Sequence, residues 1–190
     1  MTGGAPFPPG CEVLELHVAE LKNLFNAMDP APFRDRDLDP NAEEFIVEWA
    51  REVRRDAPLG LLVRLDRPPD SADAVTVLGD AVHEYFRRRA LTTRRRLRQL
   101  LRTGRTSLLI SLVFLGVAVA IGDVVAGLFS YEVTASLVRE GFLIGGWVAM
   151  WRPLEVFLYD WWPIRAEALL FDRLSVTTVR FADAGGSRPS

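Results

Sequence analysis

Cysteine, histidine and lysine are nearly missing from this chain of 190 residues. It has one cysteine, Cys11, two histidines, His17 and His83, and one lysine, Lys22. A single thiol excludes an internal disulfide and a thiolate metal cluster. With so few imidazoles as well, the ingredients of a zinc site or of a nucleophile–base pair are absent from the sequence, and no metal or other cofactor is expected. The opening MTGGAPFPPG has neither a basic segment nor an apolar one, so no cleavable signal peptide is read there. The first apolar span must then act as the targeting signal.

What the chain does have is one long apolar run. Ser107 to Gly122 carries no charge, and the stretch continues through Asp123 to Phe129 for 23 residues. A helix of that length reaches about 34 Å, enough to cross a hydrocarbon core of about 30 Å. The sequence is therefore read as that of a membrane protein of mixed α+β type.

The net charge of −2 conceals a strong separation. Met1 to Asp80 holds 16 acids against 8 bases, whereas Ala81 to Thr106 holds Glu84 against nine arginines. Those arginines, Arg87, Arg88, Arg89, Arg94, Arg95, Arg96, Arg98, Arg102 and Arg105, lie directly before the apolar run. Such a stem either binds nucleic acid through phosphates or fixes topology and holds anionic lipid head groups. Its position beside the span selects the lipid reading, with no nucleic-acid partner and no base-reading fold expected. The preference for arginine over lysine suits a GC-rich bacterial source.

Alternation of Leu14, Leu16 and Val18 with polar neighbours predicts a strand, and Leu61, Val63 and Leu65 predict a second. Between them, Leu21, Leu24, Phe25 and Met28 fall at helical spacing, with Asp29-Pro30 as the stop. The acidic loop through Asp35, Asp37 and Asp39 begins like a calcium loop, but Pro40 and Ile46 occupy the positions that need Gly and Glu. Asp39 is instead read as the N-cap of a helix with Pro40 first and Ala42, Phe45, Ile46, Trp49 and Val53 on one face. The order of strand, helices and strand predicts a parallel pair, and Ser175 to Phe181 is the candidate for a third strand. Ser71 can cap the helix that carries Val75, Leu78, Val82 and Phe86 into the stem.

A second span is read from Gly141 to about Tyr159, with a re-entrant or interfacial helix as the alternative. It contains Arg152 and Pro153, with Glu155 placed to pair with the arginine. Tyr159, Trp161 and Trp162 form an aromatic belt. The connection Ser130 to Glu140 is poor in base, so the positive-inside rule puts it outside and both termini in the cytoplasm. Small residues recur every fourth position, Ala118, Gly122 and Ala126 in the first span and Gly141, Gly145 and Ala149 in the second, and are expected to pack the two together.

These readings divide the chain into a disordered start (1–10), a small cytoplasmic α/β domain (11–70), a basic helical stem (71–106), a two-helix transmembrane hairpin (107–160), a C-terminal helix with a possible strand (161–181) and a disordered tail (182–190). The intramembrane charges Asp123, Arg152 and Glu155, with Arg139 near the interface, are the functional candidates. They suit structural locks, Asp123 with Arg139 and Arg152 with Glu155, or a proton or ion relay. The acids Glu43, Glu44, Glu48 and Glu52 read as a solvated helix face.

The blocks MDPAPFRDRDLDPNAEEFIVEWARE, RTGRTSLLISLVFLGVAVAIGD and WRPLEVFLYDWWPIRAEALLFDRL together resemble a family of uncharacterised bacterial inner-membrane proteins with two spans, over most of Cys11 to Leu174. The resemblance implies that architecture and brings no activity, cofactor or ligand. The expected function is non-enzymatic, an accessory, scaffold or interaction protein that contacts anionic lipid head groups and associates with itself or with another membrane protein. The alternative is a homo-oligomeric transporter or channel component. A membrane-bound enzyme is weaker, since no nucleophile, metal set or phosphate loop is present.

Overall fold

A computed structural model describes residues 7–26, 37–67, 72–129 and 131–183. The expectations for the N-terminal six residues, for Met28 and Asp29-Pro30, for Asp35, for the Ser71 cap and for the tail from residue 184 lie outside these residues. The chain forms a mixed, helix-dominated fold with a small parallel sheet and one long apolar helix. Two compact units divide it, one of Met1–Thr92 with Glu167–Ser190 and one of Thr93–Ala166.

In the first unit, β1 (Glu12–Val18), β2 (Leu59–Leu65) and β3 (Thr178–Asp183) lie side by side in that order, all parallel. Leu14 faces Leu61 and Leu16 faces Val63 across the first pair, and Leu61 faces Val179 and Val63 faces Phe181 across the second. Because strand side chains alternate, these residues share one face of the sheet. The third strand begins at Thr178, later than the Ser175 expected from β-branching, because Ser175 and Thr177 turn the chain out of the preceding helix through bonds to Phe171 and Leu174.

Helix α1 (Pro40–Glu52) starts as its sequence dictates: Asp39 Oδ1 accepts from the backbone amides of Asn41 at 2.9 Å and Ala42 at 3.4 Å, and Pro40 occupies the first turn. Its buried residues are Ile46, Val47 and Ala50, with Ala42, Trp49 and Val53 partly buried against the same core. Phe45, assigned to that face, is instead 51% exposed. The helix is rotated so that Val47 takes the inner position.

Leu21–Leu24 forms a single 3-10 turn rather than the α-helix expected to Met28. Phe25 and Leu38 form an antiparallel bridge, and Asn26 and Asp39 bond to Asp37 and Leu24. Pairing of this chain with the approach to α1 replaces the helical bonds. Leu24 and Phe25 of that stripe are nonetheless fully buried, beside Leu38.

The expected stem and first span are one helix, α2 (Ala72–Ala126), 55 residues long. Its start buries Leu78, Val82 and Phe86 against the sheet core, joined by Ala81, Tyr85 and Ala90. It ends at Ala126, short of Phe129. The expected loop from Ser130 to Glu140 is mostly helix as well: α3 runs over Glu132–Glu155. A five-residue π-helical turn, Val156–Asp160, leads directly into α4 (Trp161–Leu174), so Tyr159 does not end a helix. Leu170, Phe171 and Leu174 of α4 return to the core, where Phe171 stacks on Phe86 at 6.2 Å.

Phe7 lies on the second face of the sheet, where Gly60 leaves room: a Cβ there would stand 2.8 Å from Phe7 and 3.0 Å from Cys11 Sγ. The Arg180 guanidinium covers the Phe7 ring at 4.7 Å.

Candidate functional site

The nine arginines of the stem fall into two sets. Arg87 pairs with Glu84, Arg88 with Asp37 at 3.7 Å and Arg89 with Glu43. The sequence assigned these three to lipid, but each is held by an acid of the first unit. The most buried set centres on Glu43, whose side chain is 15% exposed and which also accepts from Tyr85 Oη. Arg89 lies 5.7 Å from the Phe171 ring centre, so this cluster ties α1, α2 and α4 together. Burial foremost, then the Glu43 carboxylate, drives the Tyr85 hydroxyl well above its ordinary pKa. Burial opposes the charge on Arg89, yet the bond to Glu43 raises its pKa on balance.

Arg95, Arg96, Arg98, Arg102 and Arg105 are exposed and form no ion pair among the described residues, while Arg94 is partnered. Arg95, Arg98 and Arg102, with Gln99, share one open face of α2.

Further along the second unit, α2 and α3 meet through small residues and polar bonds. Gly122 lies against Phe142, where a Cβ would come within 2.9 Å of its Cβ, and Gly146 lies against Leu115 and Ala118. Ala118, Gly122 and Ala126 are buried, as their spacing suggested. On α3 the contact is one residue off the predicted stripe. Gly141 and Gly145 face open space, Ala149 is half-buried, and Gly146 is the close-contact residue. A rotation of one residue, about 100°, separates the two faces.

Asp123 and Arg139 come together, Arg139 Nε donating to Asp123 Oδ1 at 2.6 Å. Arg152 donates to Glu155 at 2.9 Å within one helical turn. Both predicted pairings therefore occur, and each candidate charge has its partner.

One polar contact was not foreseen. Ser111 of α2 is buried, and its Oγ donates to the carbonyl of Ala149 at 2.9 Å. Pro153 lies four residues after Ala149 and has no N–H, so that carbonyl lacks its helical donor. The proline was visible in the sequence, but the serine that serves it was not. Near the π-helical turn, Trp161 Nε1 similarly donates to the Phe157 carbonyl at 2.8 Å, and Gly104 of α2 admits Val156 at a distance where a Cβ would meet its Cγ1 at 2.8 Å.

Comparison with protein-family models, with characterised proteins and with solved structures gives no match. The architecture defines a class: a three-stranded parallel sheet under helices and, among the described residues, one helix long and apolar enough to cross a membrane.

Proposed function

We propose that this chain is an integral protein of a bacterial inner membrane, anchored by a helical hairpin made of the second half of α2 and α3, and that it acts as a non-enzymatic accessory or scaffold protein through its cytoplasmic α/β unit. The observation that carries the membrane reading is exposure. Of the most apolar 18-residue stretch of α2, only 17% is buried. Leu109, Ile110, Val113 and Val124 are all more than half exposed, as are Ile144, Val148 and Trp151 of α3. Water would penalise this surface by about 25 cal/mol per Å², whereas lipid tails remove that penalty.

Other observations support the hairpin. Residue numbers on α3 and the π-helical turn after it fall as those on α2 rise, from Gly104 with Val156, through Ser111 with Ala149, to Asp123 with Arg139. Serving the Ala149 carbonyl inside the protein suits hydrocarbon, where an unmet polar group costs several kcal/mol. Parallel pairing of β3 with β2 supports a topology in which the chain returns to the side it left. The unpaired arginines before Ser107 favour the cytoplasm for that side. Because Arg139 neutralises Asp123, the pair reads more simply as a lock than as a relay.

Cysteine labelling in intact cells, on a Cys11→Ser background, tests the topology. Tyr131→Cys is expected to react with an impermeant reagent from outside, and Val176→Cys only after permeabilisation. Reaction of both from outside removes the second crossing. Mass measurement after gentle extraction tests the role: a stoichiometric foreign subunit supports an accessory protein, and a bare homo-oligomer shifts the reading to a self-sufficient assembly.

A further inference from the structure

Four of the five arginines that form no ion pair among the described residues lie in a stripe. Arg95, Arg98, Arg102 and Arg105 are spaced by three, four and three residues, which puts them on one side of α2. The stripe stops two residues before Ser107, where the uncharged run begins. Across the contact that Gly104 makes with Val156, the chain goes on to the exposed aromatic residues Tyr159 and Trp162. Exposed tyrosine and tryptophan prefer the head-group level. Arginines and aromatic residues thus mark the same depth from two segments of one unit.

We propose that the open face of α2 formed by Arg95, Arg98, Gln99 and Arg102 binds the head group of an anionic lipid carrying two phosphates. This rests on the membrane reading above and specifies its lipid. Three guanidiniums with no acid paired to them among the described residues stand on one open face of α2. One phosphodiester neutralises a single charge and leaves two like charges facing each other, whereas two phosphates leave one. Arg95 and Arg102 are seven residues apart, about 10 Å along the axis. That distance suits two acceptor groups, each taken by forked N–H donors about 2.8 Å away. Gln99 adds an uncharged donor between them.

The test uses the full chain in mild detergent, with bound lipid counted by native mass spectrometry. The probes are phosphatidylglycerol with one phosphate, diphosphatidylglycerol with two, supplied at equal total charge, and inorganic pyrophosphate as the soluble counterpart. One diphosphatidylglycerol per chain is expected to be retained at about tenfold lower concentration than phosphatidylglycerol. The triple variant Arg95→Gln, Arg98→Gln, Arg102→Gln abolishes that preference, as Arg98→Gln does in part, while Arg96→Gln, off the stripe, keeps it. An unchanged melting temperature confirms that the triple variant is folded. Equal retention of both lipids at equal charge overturns the proposal, as does a preference that survives in the triple variant. Pyrophosphate or an oligonucleotide bound as tightly as the lipid overturns the choice of a membrane ligand. A chain that stays in solution without detergent and retains no lipid defeats the membrane reading itself, whereas a membrane-inserted chain without preference defeats only this inference.

Discussion

Ser111 supplies to Ala149 the hydrogen bond that Pro153 withholds, across 2.9 Å from one helix to the next. A helix-breaking residue thereby becomes a point of attachment between α2 and α3. Gly146, one turn before Ala149 and packed on Leu115, gives the close approach that such a short side chain needs.

Ser111→Ala is expected to lower the stability of the α2–α3 contact by about 0.6 to 1.7 kcal/mol, the range of interhelical hydrogen bonds in lipid. Pro153→Ala restores an N–H to the Ala149 carbonyl, so Ser111→Ala should cost less in that background. A double-mutant cycle on detergent melting curves measures the difference. Equal costs in both backgrounds would contradict the link to the proline.

Glycine substitutions should divide by face. Gly146→Leu and Gly122→Leu force a side chain into Leu115 and Phe142 and are expected to destabilise by about 1 to 3 kcal/mol or to separate the helices. Gly141→Leu and Gly145→Leu enter open space and should leave the intramolecular contact intact. Disulfide cross-linking of a Ser111→Cys, Ala149→Cys pair, on a Cys11→Ser background, reports the separation in each variant.

Glu43→Gln removes the charge that holds Tyr85 and Arg89. A loss of about 1 to 2 kcal/mol is expected in urea unfolding of the first unit, discounted because Arg89 is half exposed. The Tyr85 hydroxyl adds an alkaline signature. Its folded pKa lies above that of an unfolded tyrosine, near 10, so its contribution is complete below about pH 10 and fades as pH rises further. Melting curves between pH 8 and 11 should show this loss, and Tyr85→Phe should flatten it.

Gly60→Val should displace Phe7 from the sheet at little cost to stability, since the group it meets is the end of a movable side chain. Cys11 lies beside the same space, and its thiol pKa is raised, by burial foremost and then by Glu12. Alkylation of Cys11 at pH 8 should therefore accelerate in the variant, as a stopped-time labelling series would record.

The local signals in the sequence were reliable where one segment decides its own structure. Asp39 and Pro40 start α1 because the cap needs only the next few amides. Leu14, Leu61 and their alternating neighbours form strands, and the scarcity of other β-branched runs pointed to β3. Arg152 finds Glu155 within a turn, and the level of Asp123 predicted Arg139. Other features depend on distant partners. Glu132, Arg139 and Glu140 look like loop residues until Asp123 takes the arginine, so α3 began too late in the sequence reading. Arg87, Arg88 and Arg89 resemble the arginines that follow them, and only the fold brings Asp37 and Glu43 to two of them. Spacing alone cannot choose between Gly145 and Gly146, adjacent residues about 100° apart, of which Gly146 makes the contact and Gly145 faces open space.

The position of β3 also sets an order of events during synthesis. Thr178 pairs with Gly60 only after everything between them has been made, the apolar helices included. Until then the ribosome has released a two-stranded sheet whose edge at β2 is bare and whose core lacks Phe171 and Leu174. Two strands are marginal by themselves. The third strand therefore acts as a late closure: a chain that stalls before it presents an open edge at β2 and an unfilled core.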